Sequence, residues 1–157
     1  MSNILKNICE KKYKEVELNK NKCSLKNLIK LLPEKKNRNF KNLVISSQIK
    51  NTNNIIAEIK KFSPSAGEII KDYNPGDIAE DYERSGAGAI SILTESNFFK
   101  GKIDHLSLVN RKTNIPILRK DFIIDKYQIF ESKVFQADAI LLIASILDDK
   151  KILEYIK

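Results

Sequence analysis

The stretch IIAEIKKFSPSAG, Ile55 to Gly67, opens the part of the chain that decides the fold. Its first six residues, IIAEIK, form a short β-branched run that reads as a strand. Glu58, Lys60 and Lys61 sit in its last turn of sequence, and Ser63-Pro64-Ser65 ends it. From here the chain alternates. Residues 74–87 (NPGDIAEDYERSGA) read as a helix with Ile78, Ala79 and Tyr82 on one face and Gly86 as its terminator. AGAISILT (87–94) reads as a strand, KIDHLSLVNRKT (102–113) as a helix, and IPILRKDF (115–122) as a strand. KYQIFESKVFQ (126–136) is again helical, ADAILLIAS (137–145) a strand, and LDDKKILEYIK (147–157) a helix. Such βαβα alternation, with apolar strands and about 30 residues per unit, predicts parallel strands joined by crossover helices. Two architectures fit, an open doubly wound sheet and part of a (β/α)8 barrel. No G-x-G-x-x-G follows the first strand, which weighs against dinucleotide binding.

Ahead of this region, residues 3–20 show a loose helical pattern. Residues 24–32 (SLKNLIKLL) read as a helix with Ser24 as N-cap and Pro33 as its stop. The polar stretch 34–54 reads as a connecting loop. The expected division is therefore a helical extension and linker over 1–54 and a β/α region over 55–157.

The 157 residues are 42% apolar and 31% charged, the balance of a globular protein. No apolar run approaches the roughly 18 residues of a membrane span, and MSNILKNICEKKYKEVELNK has no signal-peptide pattern. The expectation is a cytoplasmic protein without a membrane partner. Cys9 and Cys23 match no metal spacing and read as two reduced thiols. His105, the single histidine, stands in a helical context with no nucleophile signature nearby, so neither zinc nor a Ser-His-Asp triad is expected. The net charge of +8 is uneven. Residues 1–61 hold 15 Lys/Arg against 5 Asp/Glu, and residues 62–157 hold 13 against 15. The basic arm lacks interleaved aromatics and an RNP-like pattern, so nucleic acid is not the expected partner.

Residues two apart in a strand share a face, roughly 7 Å apart. Glu58 and Lys60 therefore project together at the C-terminal end of the first strand, and Lys120 ends the third strand on the face of Leu118. Arg119 and Asp121 take the other face. In parallel α/β folds the C-terminal strand ends carry the chemistry. Two ammoniums kept there imply an anion or a polar cavity.

Together, AEIKKFSPSAGEI (57–69), AGAISILTESNFFKG (87–101), PILRKDFIIDKYQI (116–129) and ADAILLI (137–143) resemble the indole-3-glycerol phosphate synthase family, in order and spacing. ILKNICEKKYKEVE resembles that family's N-terminal helical extension. The resemblance implies a (β/α)8 barrel of the ribulose-phosphate-binding type, of which about the first four β/α units are here. It implies closure of the pyrrole ring of 1-(2-carboxyphenylamino)-1-deoxyribulose 5-phosphate with loss of CO2 and water, in tryptophan biosynthesis, with no metal or organic cofactor. By resemblance Lys120 is the general acid, and Glu58 and Lys60 serve the carboxylate and the dehydration. Ser63 contacts the substrate carboxylate, and Pro64, Phe99, Phe122 and Leu141 wall the anthranilate ring. The partner implied is a phosphorylated small molecule; oligomeric state and fusion to another pathway enzyme stay open. A barrel of eight units takes about 250 residues, so the chain reads as an N-terminal fragment, inactive alone. It would lack a second glutamate, an asparagine and the phosphate loops. Gln136 stands where the family has Gly, with a local cost expected at that helix end. The alternatives are another barrel of the type, such as phosphoribosylanthranilate isomerase, and a basic nucleic-acid-binding module.

Overall fold

The computed structural model describes residues 3–34, 37–43, 45 and 54–157. Much of the expected linker lies outside the described residues; within it, residues 40–43 are helical rather than looped. The chain opens with α1 (Asn3–Lys22) and α2 (Leu25–Lys30). Ser24 caps α2, its hydroxyl accepting the Asn27 N–H at 3.3 Å. Then follow β1 (Ile56–Ile59), a two-residue ribbon of β2 (Phe62–Ser63) and β3 (Gly67–Glu68), α3 (Pro75–Arg84) and β4 (Ala89–Leu93). The chain continues through α4 (Asp104–Asn110), β5 (Ile117–Lys120), α5 (Lys126–Val134), β6 (Ala139–Ile140) and α6 (Asp149–Ile156).

The helix starts follow side-chain chemistry. Asn74 accepts the Gly76 and Asp77 N–H groups ahead of Pro75, whose missing N–H would have no helical partner there. Asp125 and Gln128 form a reciprocal capping box on α5. Gly86 takes a left-handed φ of 91° just past α3, which glycine adopts without a Cβ penalty.

Four strands form one parallel sheet in the order β1-β4-β5-β6. The register sets Ile59 beside Ile92 and Ile92 beside Arg119, and on the opposite face Glu58 beside Ser91 and Leu93 beside Lys120. The first face meets the helices: Ile59, Ile90, Ile92 and Ile117 pack with Ala79, Leu106 and Val109 into a buried core. The second face carries Glu58, Leu93 and Lys120. The described sheet is open, with β1 and β6 at its edges. The last strand is shorter than its apolar sequence suggests. Among the described residues β6 pairs with β5 alone, through just Ala139 and Ile140, before the backbone leaves the ladder.

The amino-terminal helices lie against the β/α region. Val16 of α1 and Leu28 of α2 share a buried cluster with Tyr127 of α5. The Tyr127 hydroxyl donates at 3.2 Å to the Asn19 carbonyl and 3.0 Å to that of Cys23.

Candidate active site

Glu58, Lys60 and Lys120 meet at the C-terminal rim of the sheet. Glu58 and Lys120 are separated by β4, and the in-phase parallel register carries both to the same face. The Lys60 ammonium lies 2.9 Å from Glu58 Oε1, and the Lys120 ammonium bonds Oε2. All three side chains are half-buried. Burial pushes the Glu58 carboxyl up, but the hydrogen bonds from Lys120 and Lys60 outweigh it and hold the group below its ordinary value. The result is an ionised carboxylate with an ammonium on each oxygen.

A pocket opens beside this triad. Leu93, Phe99, Phe122, Leu141 and Ile143 complete its wall with Glu58, Lys60, Lys120 and Asp121. The Phe99 and Phe122 rings stand 6.4 Å apart at 33°. Each ring is set by a buried carboxylate. The Phe122 N–H donates to Asp121 Oδ1 at 2.8 Å. Glu95 accepts the N–H groups of Asn97 (3.0 Å), Phe98 (2.6 Å) and Phe99 (3.1 Å), folding the loop after β4 around its own side chain. That loop returns at Gly101, where a Cβ would overlap the Leu93 carbonyl and the Thr94 backbone. Only glycine allows that approach.

Of the residues singled out in the sequence, Glu58, Lys60, Lys120, Phe99, Phe122 and Leu141 line this one pocket. Ser63 and Pro64 are not part of its lining. Ser63 is buried in the β2–β3 turn, its hydroxyl accepting the Ala66 N–H at 3.1 Å and facing Ser65 Oγ at 3.4 Å. His105 lies away from the pocket, 3.5 Å from the Tyr73 hydroxyl; burial lowers its pKa and raises that of Tyr73 to about 12. Cys9 and Cys23 are free thiols, and no cluster of metal-ligating side chains occurs among the described residues. No helix among the described residues is long and apolar enough to cross a membrane.

An ionic network behind the pocket is absent from the sequence reading. Arg119, on the helix-facing side of β5, donates to Asp121 (3.0 Å), Glu131 (2.9 Å) and Ser132 (3.1 Å). Lys12 of α1 is fully buried and 3.0 Å from Asp121 Oδ1. Burial would raise the Asp121 carboxyl, but Arg119 and Lys12 reverse this and hold it at about 2. A signal for Lys12 does exist. It sits four residues from Ile8 and from Val16, both buried, so it occupies the middle of an apolar stripe.

The family model described as indole-3-glycerol phosphate synthase matches residues 5–157. The chain belongs to the indole-3-glycerol phosphate synthase family. Proteins named indole-3-glycerol phosphate synthase from Legionella pneumophila (strain Lens) and Aliarcobacter butzleri are 43% and 44% identical to it over 155 residues. These alignments cover 99% and 96% of the chain and 58% of each relative. One of the same name from Campylobacter fetus is 55% identical over 111 residues, 69% of the chain and 43% of that protein. The chain thus spans about 58% of the length of the first two relatives.

Proposed function

We propose that the chain supplies the first four β/α units of a (β/α)8 barrel, residues 55–157, preceded by a helical extension and linker over residues 1–54. In the whole protein the barrel converts 1-(2-carboxyphenylamino)-1-deoxyribulose 5-phosphate to indole-3-glycerol phosphate, CO2 and water, without a metal or organic cofactor. The observation that carries this reading is the convergence of the Lys60 and Lys120 ammoniums on Glu58 against an aromatic wall, in a member of this family.

The chemistry suits those groups. The ring carbon bearing the carboxylate attacks the ketone carbon, and negative charge develops on the ketone oxygen. Lys120 delivers a proton to that oxygen as the carbon–carbon bond forms. CO2 then leaves, its bonding pair restoring the aromatic ring. The new hydroxyl departs as water, and loss of a carbon-bound proton completes the pyrrole. Lys60 pairs with the substrate carboxylate, and Glu58 holds both ammoniums in position and takes part in the dehydration. Phe99, Phe122 and Leu141 clasp the anthranilate ring and keep water from it. Ser63, in the turn after β1, contacts the substrate carboxylate.

The described pocket encloses about 100 Å³, less than the roughly 300 Å³ at the small end of ligand sites. That size suits half of a site whose phosphate anchor lies on later barrel units, as in barrels generally. The 157-residue chain alone is accordingly inactive in this reading. Indole fluorescence of the whole protein acting on the carboxyphenylamino substrate tests the proposal. Lys120→Met should lower kcat by about 10² to 10⁴ while the substrate still binds. Turnover near the parent's level would remove Lys120 from the acid role.

A further inference from the structure

The Asp121 carboxylate sits between Lys120 and Phe122 in sequence, and its two oxygens have separate partners. Oδ2 accepts the Thr94 hydroxyl at 2.7 Å and Arg119 Nη2 at 3.0 Å. Oδ1 accepts the Phe122 N–H at 2.8 Å and the Lys12 ammonium at 3.0 Å. The ammonium reaches in from α1, a different part of the chain. It is fully buried and also bonds the Glu15 carboxylate, both oxygens at 3.0 Å. Burial lowers the pKa of Lys12, but Asp121 and Glu15 outweigh it, so the side chain stays charged. Between Ile8 and Val16 an apolar side chain would pack with no desolvation of charge, and such replacements of buried ion pairs are often neutral or stabilising. What an apolar residue cannot supply is direction, a donor aimed at one carboxylate oxygen.

We propose that Lys12 is a positioning residue for the reaction: its ammonium anchors Asp121 Oδ1, and that oxygen fixes the Phe122 amide and hence the backbone presenting Lys120 and Phe122 to the pocket. The inference rests on the ring-closure reading above. It places control of the general acid partly outside the β/α region, in α1. Without Lys12, Arg119 and Thr94 still hold Oδ2. The carboxylate then pivots about that oxygen, and the Phe122 N–H loses its fixed acceptor. The loop after β5 has other ties to α1, among them Lys20 to Asp125 at 2.8 Å. Removing Lys12 therefore loosens the strand end without detaching the helix.

The test is steady-state kinetics of the whole protein and its Lys12→Met and Lys12→Arg variants, with folding checked by circular dichroism and urea denaturation. Misplacing a reacting group by about 1 Å can cost about 10²-fold in rate. Lys12→Met should therefore lower kcat roughly ten- to a hundredfold with KM within about threefold. Lys12→Arg, which keeps the charge and the reach, should recover most of the loss. A folded Lys12→Met with kcat within about twofold of the parent overturns the proposal, as does a loss expressed in KM alone. Where Lys12→Met does not fold, Lys12→Gln is read by the same criteria. If no neutral replacement folds, Lys12 is structural and the proposal falls. An inactive parent would instead sink the ring-closure reading, and this inference with it. An active parent with an indifferent Lys12→Met sinks this inference alone.

Discussion

At the scale of single residues, a carboxylate can do two jobs in this chain, and its surroundings choose between them. Glu58 is half-buried beside a pocket, paired with two half-buried ammoniums that a ligand can reach. Asp121 is buried, and all its partners are fixed by the fold. That difference has a pH consequence. The Asp121 carboxyl is held at about 2, below its ordinary 3.8. A depressed carboxyl pKa stabilises the fold above the unfolded value and loses that contribution as pH falls through the folded one. Urea denaturation should therefore show stability falling between about pH 4 and pH 2, by about 2 kcal/mol from this group. Asp121→Asn should flatten that acid limb. Gln136 makes a second residue-scale prediction. It holds φ at 69°, just past the end of α5, a conformation that strains any residue with a Cβ. Gln136→Gly should raise stability by roughly 1 kcal/mol, and an unchanged urea midpoint would count against strain there.

At the scale of elements, the two-residue period of a strand made the site legible. Sequence parity set Glu58 with Lys60 on one face, and Leu118 with Lys120, before any pairing was known. Several helix starts have a local cause of the same kind, since Ser24, Asn74, Asp125 and Asp148 each bond N–H groups a few residues ahead; of these, Ser24 was readable as a cap. Ser24→Ala should weaken α2 by about 1 kcal/mol, seen as faster amide exchange over Asn27 and Leu28. The β2–β3 ribbon was not legible, because two-residue strands carry no periodicity. Nor was the early end of β6, which pairs with β5 alone among the described residues. The loop after β4 depends on Gly101 lying against the Leu93 carbonyl. Gly101→Ala should destabilise by roughly 1–3 kcal/mol, the range for overpacked sites. Because that loop carries Phe99, the variant should also bind substrate more weakly, as a raised KM.

At the scale of the whole molecule, four parallel strands leave β1 and β6 with free ladder edges in the described sheet. Ile55, Ile56 and Leu141 are exposed at or beside those edges. Edges of this kind recruit other strands. The 157-residue chain expressed alone should associate, with an apparent mass that rises with concentration in light scattering; a strict monomer at high concentration would contradict this. The excess of lysine at the amino end has a partly internal explanation. Lys12 and Lys20 face Asp121 and Asp125 of the β/α region, so the charge asymmetry along the chain is in part an intramolecular attraction.

The order of the main strands and helices, the face each strand charge takes and the Ser24 cap were readable from residue types and spacing, because each depends on neighbours within a few positions. The family was readable too, from four motifs in fixed order. What Lys12 pairs with was another matter, although its place between Ile8 and Val16 hints at burial. Its lysine-rich neighbourhood looks like a solvated helix face, and what buries it is the packing of α1 over a strand end more than a hundred residues away. Such a long-range pairing has no local signature. Docking of the helix supplied the partner that makes a buried ammonium tolerable, and neither half of that pair announces the other in the linear chain.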